Sequence, residues 1–186
     1  MSVTGEPEGA PIKCGVPLAD FTAGLYGAFA ISAALTQIRA GAAGVHIDVP
    51  MLGTSLAIAA LQTSEYFGTG RDPKPLGSAH PRNAPYQAYP ARDRYFVIAA
   101  GNDKLWASVC RIVERNELVE DPRFCTVRER AKNQRALAEI LSEIFRTRDA
   151  EEWLNEFERA GVPASLIKSY SEAVADPQVS ANGWVQ

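Results

Sequence analysis

The most apolar part of the chain is residues 21–38, a run without charged side chains that directly follows Asp20. Phe21, Leu25 and Phe29 recur at helical spacing, and other apolar residues fill the remaining sides. A helix that is apolar all round is normally buried. Small or polar residues interrupt the run at several positions: Thr22, Gly24, Gly27, Ser32, Thr36 and Gln37. The pattern therefore predicts a buried core helix and not a membrane-spanning one.

A strand and a second helix are predicted after the first helix. Residues 45–49 alternate apolar and polar side chains, as a short strand does, and Met51 begins an apolar segment that predicts a helix to about Phe67. A strand between two helices suits one edge of a parallel sheet. The stretch at 68–83 is rich in glycine, proline and basic side chains, which predicts a linker.

The second half of the chain predicts helices around a β-hairpin. Aromatic and β-branched runs at 86–89 and 95–100 are typical of hairpin strands. Asn102 is a candidate helix cap, and Asp149 with Glu152 forms a candidate capping box. Arg and Glu residues of mixed sign near residue 131 indicate a solvated face. The remaining predicted elements are helices at 102–113, 131–145, 149–160 and 170–175, and a strand at 164–168 returning toward the first half.

Composition places the chain among ordinary globular proteins. Of its 186 residues 46% are hydrophobic and 22% charged. A net charge of −3 argues against a nucleic-acid partner, which needs a basic surface. Cys14, Cys110 and Cys125 form no C-x-x-C pair and predict reduced thiols in a cytoplasmic protein without a secretory signal. His46 and His80, the only histidines, are too few to predict a metal site.

Asp20 admits two interpretations from its position. Pro17 disfavours helix before it, and an aspartate directly ahead of an apolar run is a preferred N-cap. Ala23 stands where a capping box needs Glu or Gln, so the cap would be a simple one. The alternative is a nucleophilic or acid–base carboxylate at the edge of a buried site, near the positive end of the helix dipole. Position alone favours the cap.

Short segments in a specific order extend over almost the whole chain. They are MSVTGEP at 1–7, GVPLAD at 15–20, AGLY at 23–26, AAL at 33–35, HIDV at 46–49, APY at 84–86, AGND at 100–103, DPRF at 121–124, AGVP at 160–163 and DPQV at 176–179. Together they resemble the class III CoA-transferases, the family of formyl-CoA transferase, carnitine CoA-transferase and alpha-methylacyl-CoA racemase.

The resemblance implies an α/β fold with part of a Rossmann-like large domain and a smaller α+β domain. It assigns 1–67 to the large domain, 68–84 to a linker and site loop, 85–161 to the small domain, and 162–186 to a segment returning to the large domain. In the family an N-terminal portion precedes the segment that matches residues 1–7, so we expect this chain to be an internal portion of a longer protein. Full-length relatives are interlocked homodimers.

The resemblance also implies a reaction and a set of site residues. The family aspartate that matches Asp20 attacks the thioester of an acyl-CoA, and a mobile glycine-bearing loop covers it. Coenzyme A is then a substrate, a small carboxylic acid is the acceptor, and no cofactor is bound covalently. Neither a metal nor a membrane is expected to take part. The residues expected to contact acyl-CoA are Met51, Gly77, Ser78, His80 and Tyr86.

Two alternatives remain open from the sequence. A racemase of the same fold would move an α-proton, and its glutamate falls near Asp103, where this chain has the Gly-Asn-Asp typical of transferases. The other alternative is an inactive fragment or an assembly module that needs its missing N-terminal portion.

Overall fold

The chain divides between Gly77 and Ser78 into two units. The structure is a computed structural model, and it describes residues 1–185. The division falls inside the predicted linker at 68–84. The assignment of these stretches to a large and a small domain stays a prediction.

The first unit contains three helices, α1 (Leu18–Arg39), α2 (Met51–Ile58) and α3 (Ala60–Thr69). Pro17 is the N-cap of α1, and its carbonyl accepts the first helical hydrogen bond, from the Phe21 N–H at 3.1 Å. Proline suits a helix start because its missing N–H would have no intrahelical partner there. α1 packs against α2.

Two predictions for this unit are wrong. Residues 45–49 form no strand, because a strand needs a neighbour to bond with and residues 1–77 contain no other extended segment in a ladder. The helix predicted from Met51 to about Phe67 is two helices, because Ala59 leaves the helical conformation at φ −84° and ψ 34°. The mixed helix and sheet character of the described residues therefore comes from the second unit.

Helix α1 is exposed, and the prediction of a buried core helix is wrong for this chain. Phe21, Leu25 and Phe29 are 65%, 71% and 77% exposed, and the buried residues within 1–77 are Thr22 and Thr54. The reason is that α1 is apolar on every side, whereas in unit 1 the helix that packs most against it is α2. By length and hydropathy alone, α1 is the one helix in residues 1–185 that would suffice to cross a membrane.

The second unit is built on a three-stranded antiparallel sheet. Its strands are β1 (Tyr86–Pro90), β2 (Tyr95–Ala99) and β3 (Ala164–Leu166), in the order β1-β2-β3. Tyr89 pairs with Phe96 in the predicted hairpin, and Ile98 pairs with Ala164. β3 therefore completes the sheet of the hairpin, which differs from the expected return toward the first half of the chain.

Six α-helices accompany the sheet: α4 (Asp103–Ile112), α5 (Val127–Lys132), α6 (Gln134–Phe145), α7 (Ala150–Arg159), α8 (Tyr170–Val174) and α9 (Pro177–Ala181). A single 3-10 turn lies at Asn116–Val119. The predicted caps are confirmed, since Asn102 Oδ1 accepts the Leu105 N–H at 2.9 Å and Asp149 forms the capping box with Glu152. α9 was not expected: Pro177 is its first residue, and Asp176 caps it.

An aromatic core lies between the sheet and helices α4, α6 and α7. The Phe145 ring is 5.2 Å from each of the rings of Tyr89, Phe96 and Trp153, measured between centroids, and all four side chains are at most 1% exposed. Edge-to-face packing at this distance adds to the free energy gained by burying apolar area. Unit 2 thus has a hydrophobic core of its own, and the hairpin packs against it.

Candidate active site

Asp20 lies in the first turn of α1 and does not cap it. The helix begins at Leu18, two residues before Asp20, and Pro17 occupies the cap position without a side-chain hydrogen bond. The interpretation of Asp20 as N-cap is therefore wrong, because Pro17 is tolerated at a helix start and the helix extends back to it. Within residues 1–185 the Asp20 carboxylate forms no ion pair or hydrogen bond.

The Asp20 side chain lines a groove of about 620 Å³ in unit 1. Segments 1–4 and 13–20 form one part of its wall, and α2 forms the other with residues that include Leu52, Ser55 and Leu56. This volume lies within the range of small-molecule sites, which are mostly apolar with a few polar groups. The groove therefore combines one free carboxylate with apolar walls, as a site for a small acyl group does.

The helix itself favours an anion at this position. The first N–H groups of a helix have no intrahelical acceptors, and the aligned peptide dipoles place partial positive charge at this end. Asp20 is the acidic residue of the first turn. The carboxylate therefore lies uncovered at the helix end that favours an anion, as an attacking carboxylate requires.

Met51 and Gly77 also belong to unit 1, but they have different surroundings. Met51 is the first residue of α2, is 53% exposed and does not line the groove. Gly77 has φ +61°, a left-handed backbone conformation that glycine adopts without strain. Its N–H donates to the Gly5 carbonyl at 2.8 Å and is therefore not a free donor for a ligand.

Ser78, His80 and Tyr86 lie together at the start of the hairpin in unit 2. The His80 ring stacks on the Tyr86 ring, with centroids 5.0 Å apart and planes 9° from parallel. The His80 N–H donates to the Tyr86 carbonyl at 2.9 Å, and Ser78 Oγ accepts the Ala88 N–H at 3.0 Å. The structure thus brings three of the predicted contact residues into one cluster.

The hydrogen bonds of His80 fix its tautomer. Nδ1 accepts the N–H groups of Arg82 and Asn83, each at 3.1 Å. An imidazole nitrogen that accepts carries no proton, so the neutral ring has its proton on Nε2. His80 therefore presents Nε2–H as a hydrogen-bond donor.

Arg130 is a residue whose role the sequence did not indicate. It is fully buried in unit 2, which contradicts the expected solvated face at this position. Nε donates to the Ala84 carbonyl at 2.8 Å, Nη1 to the Phe124 carbonyl at 2.9 Å, and Nη2 to Asp103 Oδ1 at 2.7 Å. The guanidinium fixes three chain segments at once, including the one directly before Tyr86.

A local signal could have placed Arg130 in a helix, but not in the core. Thr126 caps α5 by accepting the Glu129 N–H at 3.2 Å, and Thr-x-x-Glu is a helix-start pattern. Two of the three partners of Arg130, Ala84 and Asp103, lie at distant chain positions, and the spacing of residues around Arg130 does not indicate them.

Asp103 stands where the resemblance places the racemase glutamate. Its carboxylate is paired with the buried Arg130 guanidinium. This pairing gives Asp103 a role in holding unit 2 together, and it does not favour the racemase alternative.

Metal ligands and the buried thiol of unit 2 were the other candidates for chemistry among the described residues. Within 1–185 no group of three or more His, Cys, Asp or Glu side chains is arranged to hold a metal ion. Cys110 is buried, and this burial raises the pKa of its thiol to about 12. A thiol with that pKa stays protonated at neutral pH and is a poor nucleophile.

Comparison with known proteins decides the family. The family model for CoA-transferase family III matches residues 1–186. The chain belongs to the class III CoA-transferases. The resemblance seen in the short segments is thereby confirmed.

Named relatives of this family member transfer CoA between small acids. The succinate–glutarate CoA-transferase of Agrobacterium fabrum is 37% identical over 183 residues, which are 98% of this chain and 46% of that protein. The human succinyl-CoA:glutarate CoA-transferase is 36% identical, over 100% of this chain and 42% of its own length. The acetyl-CoA:oxalate CoA-transferase of Acetobacter aceti is 34% identical, over 97% of this chain and 47% of its own length.

A solved structure agrees with the fold of this class III chain. The crystal structure of a CAIB/BAIF family protein from Brucella suis matches with a TM-score of 0.79 and 38% identity, over 98% of this chain and 48% of that one. The chain spans less than half the length of each of these relatives.

Proposed function

We propose that the whole protein is an acyl-CoA:carboxylate CoA-transferase in which Asp20 is the covalent nucleophile. The observation that supports this most is the free Asp20 carboxylate in the first turn of α1, lining a groove large enough for a small acid. Membership of the class III family and the names of the relatives support the reaction class.

The first step is attack on the thioester. An Asp20 oxygen forms a C–O bond to the acyl carbonyl carbon of acyl-CoA, the C–S bond breaks, and CoA leaves as a thiolate. The product is a mixed anhydride between the acyl group and Asp20. N–H groups at the start of α1 stabilise the oxyanion that develops on the way.

The later steps exchange one acid for another. CoA thiolate attacks the aspartyl carbonyl of the anhydride, releases the donor acid as a carboxylate and leaves an aspartyl-CoA thioester. The acceptor carboxylate attacks that thioester to form a second anhydride, and CoA thiolate then takes the acceptor acyl group and frees Asp20. Anhydrides and thioesters are both activated acyl groups, so each step keeps the group potential and no ATP is needed.

The acids that this reaction uses are proposed to be small dicarboxylates. Succinate and glutarate stand in the names of two relatives, and oxalate in the name of a third. Ser78, His80 and Tyr86 are proposed to contact the acyl-CoA as one cluster, in which His80 Nε2–H donates. Met51 and Gly77 complete the proposed acyl-CoA contacts.

The assembly and location are part of the same proposal. We place the protein in the cytoplasm as an interlocked homodimer whose large domain is Rossmann-like. The exposed apolar side chains of α1 support an assembly that covers them, because such a surface is costly in water.

The paired variants Asp20→Asn and Asp20→Ala test the nucleophile. Both remove the reacting anion, so transfer from succinyl-CoA to glutarate should fall by orders of magnitude in both. Because Asp20 forms no cap bond, both should lose only about 0.3–1 kcal/mol of helix-dipole stabilisation. Glu65→Gln on α3 neutralises a carboxylate outside the groove and is the matched control. Transfer near the wild-type rate in Asp20→Asn would refute the assignment.

A further inference from the structure

The groove at Asp20 contains a second charged side chain. Among the side chains of Asp, Glu, Lys, Arg and His, those of Lys13 and Asp20 line it. Within residues 1–185 neither forms an ion pair, so they are not paired with each other. One wall of the groove therefore carries a lysine and an aspartate that form no ion pair with each other or with another described residue.

A ligand that joins these two groups has a defined chemistry. Asp20 needs an electrophilic acyl carbon, and Lys13 needs an anion. The CoA monothioester of a dicarboxylic acid has both, a thioester at one end and a free carboxylate at the other. The apolar lining residues Val16, Leu52 and Leu56 suit the methylene chain between the two ends.

The charge of Asp20 makes a cation in this groove important for such a ligand. A dicarboxylate that approaches Asp20 brings a second negative charge close to the first, and the two charges repel each other. An ammonium group in the same groove offsets the repulsion. An acyl group with a neutral tail does not meet the repulsion and gains nothing from the cation.

We propose that Lys13 determines specificity for dicarboxylic substrates by binding the distal carboxylate of the acyl group that Asp20 attacks. This inference rests on the proposed function, because it assumes that Asp20 takes up the acyl group. Lys13 acts on substrate choice and not on the bond-making step itself.

Two thioesters of equal chain length separate the effect of Lys13 from that of Asp20. Succinyl-CoA ends in a carboxylate, and butyryl-CoA has a methyl group in its place. The rate at which each thioester acylates the chain is followed by intact-protein mass spectrometry. In Lys13→Gln the rate of acylation by succinyl-CoA should fall about tenfold, which is the effect expected from the loss of one charged hydrogen bond. The rate of acylation by butyryl-CoA should stay within about twofold of the wild-type rate, because butyryl-CoA has no distal carboxylate.

Further variants sharpen the test. Lys13→Arg keeps the positive charge and should retain the preference for succinyl-CoA. Lys13→Glu adds a like charge and should lower the succinyl rate further while leaving the butyryl rate unchanged. Lys74→Gln removes an exposed lysine of unit 1 that does not line the groove, and it should change neither rate.

The outcomes distinguish this inference from the proposed function. If Lys13→Gln lowers the acylation rate equally with both thioesters, or with neither, the proposed role of Lys13 is wrong. The role of Asp20 as nucleophile would be unaffected. A wild-type chain that neither thioester acylates would overturn the proposed nucleophile and this inference with it. Near-ultraviolet circular dichroism of each variant checks that the fold is unchanged.

Discussion

Phe29 on α1 is 77% exposed, whereas Phe145 on α6 is completely buried. The two residues represent their units: residues 1–77 bury only Thr22 and Thr54, while the hydrophobic core of the chain lies entirely within residues 84–162. Both units have apolar helices. Hydrophobicity alone therefore does not determine burial, which depends on the surfaces that each unit offers.

The difference follows from how apolar residues are distributed around each helix. α6 buries Leu137, Leu141 and Phe145 on one face and keeps polar residues on the other. Packing that one face against the core is therefore enough to bury its large apolar side chains. α1 is apolar on all sides and needs cover on all sides, but α2 packs on only part of it. The unit that contains the candidate nucleophile is thus the one without a hydrophobic core, and the other unit has one.

The largest expected effect on stability comes from a matched pair of phenylalanines. Phe145→Ala should cost about 3–5 kcal/mol, because it removes a ring packed against Tyr89, Phe96 and Trp153. Phe29→Ala should change the free energy of unfolding by at most about 0.5 kcal/mol, since the ring is already in water. Denaturant unfolding followed by the fluorescence of the buried Trp106 and Trp153 measures the first effect. Similar losses in both variants would contradict the contrast between the units.

A second effect, somewhat smaller, concerns the buried arginine of unit 2. Arg130→Met keeps much of the side-chain volume but leaves the Ala84 and Phe124 carbonyls without their donor. We expect a loss of about 2–4 kcal/mol in the free energy of unfolding. Arg128→Met on the same helix α5 is exposed and should stay within about 0.5 kcal/mol. Equal behaviour of the two variants would show that Arg130 does not tie the segments together.

The smallest effect is a pH dependence at the end of unit 2, where residues 163–185 include no buried side chain. Hydrogen bonds from Arg94, and then from Ser169, lower the pKa of Glu172 from its usual 4.5 to about 2. Because the folded pKa lies below the unfolded one, this contact stabilises α8 above about pH 4.5, and its contribution is lost as the pH falls toward 2.

Nuclear magnetic resonance titration of the Glu172 carboxyl carbon measures this directly. In Arg94→Gln the pKa should rise toward the usual value, because the bidentate partner is gone. A pKa near 4.5 for Glu172 in the wild type would show that the ion pair with Arg94 does not stabilise α8.

Features set by neighbouring residues could be predicted from the sequence. The hairpin, the Asn102 cap and the Asp149–Glu152 capping box depend on patterns within a few residues, and all three are present. The family could be recognised because its short segments keep their order along the chain. These signals predict a helix that starts at Asp20. The observed helix α1 starts two residues earlier, at Leu18.

Features that depend on distant residues could not be predicted. Residues 45–49 alternate like a strand, but pairing needs a neighbour that residues 1–77 do not supply. Arg130 is charged like its neighbours, and its burial depends on Ala84 and Asp103 far away in the chain. The groove joins segments 1–4 and 13–20 with α2, so the shared position of Lys13 and Asp20 appears only in the folded unit.

The most direct test of the account is to locate the acyl group on the chain. The protein is incubated with succinyl-CoA, quenched with hydroxylamine and mapped by peptide mass spectrometry. We predict a hydroxamate on Asp20 that is absent in Asp20→Asn and unchanged in Cys14→Ser, a substitution of the thiol that lines the same groove. An unmodified Asp20, or a hydroxylamine-sensitive adduct on Cys14 in its place, would contradict the central claim that Asp20 is the nucleophile.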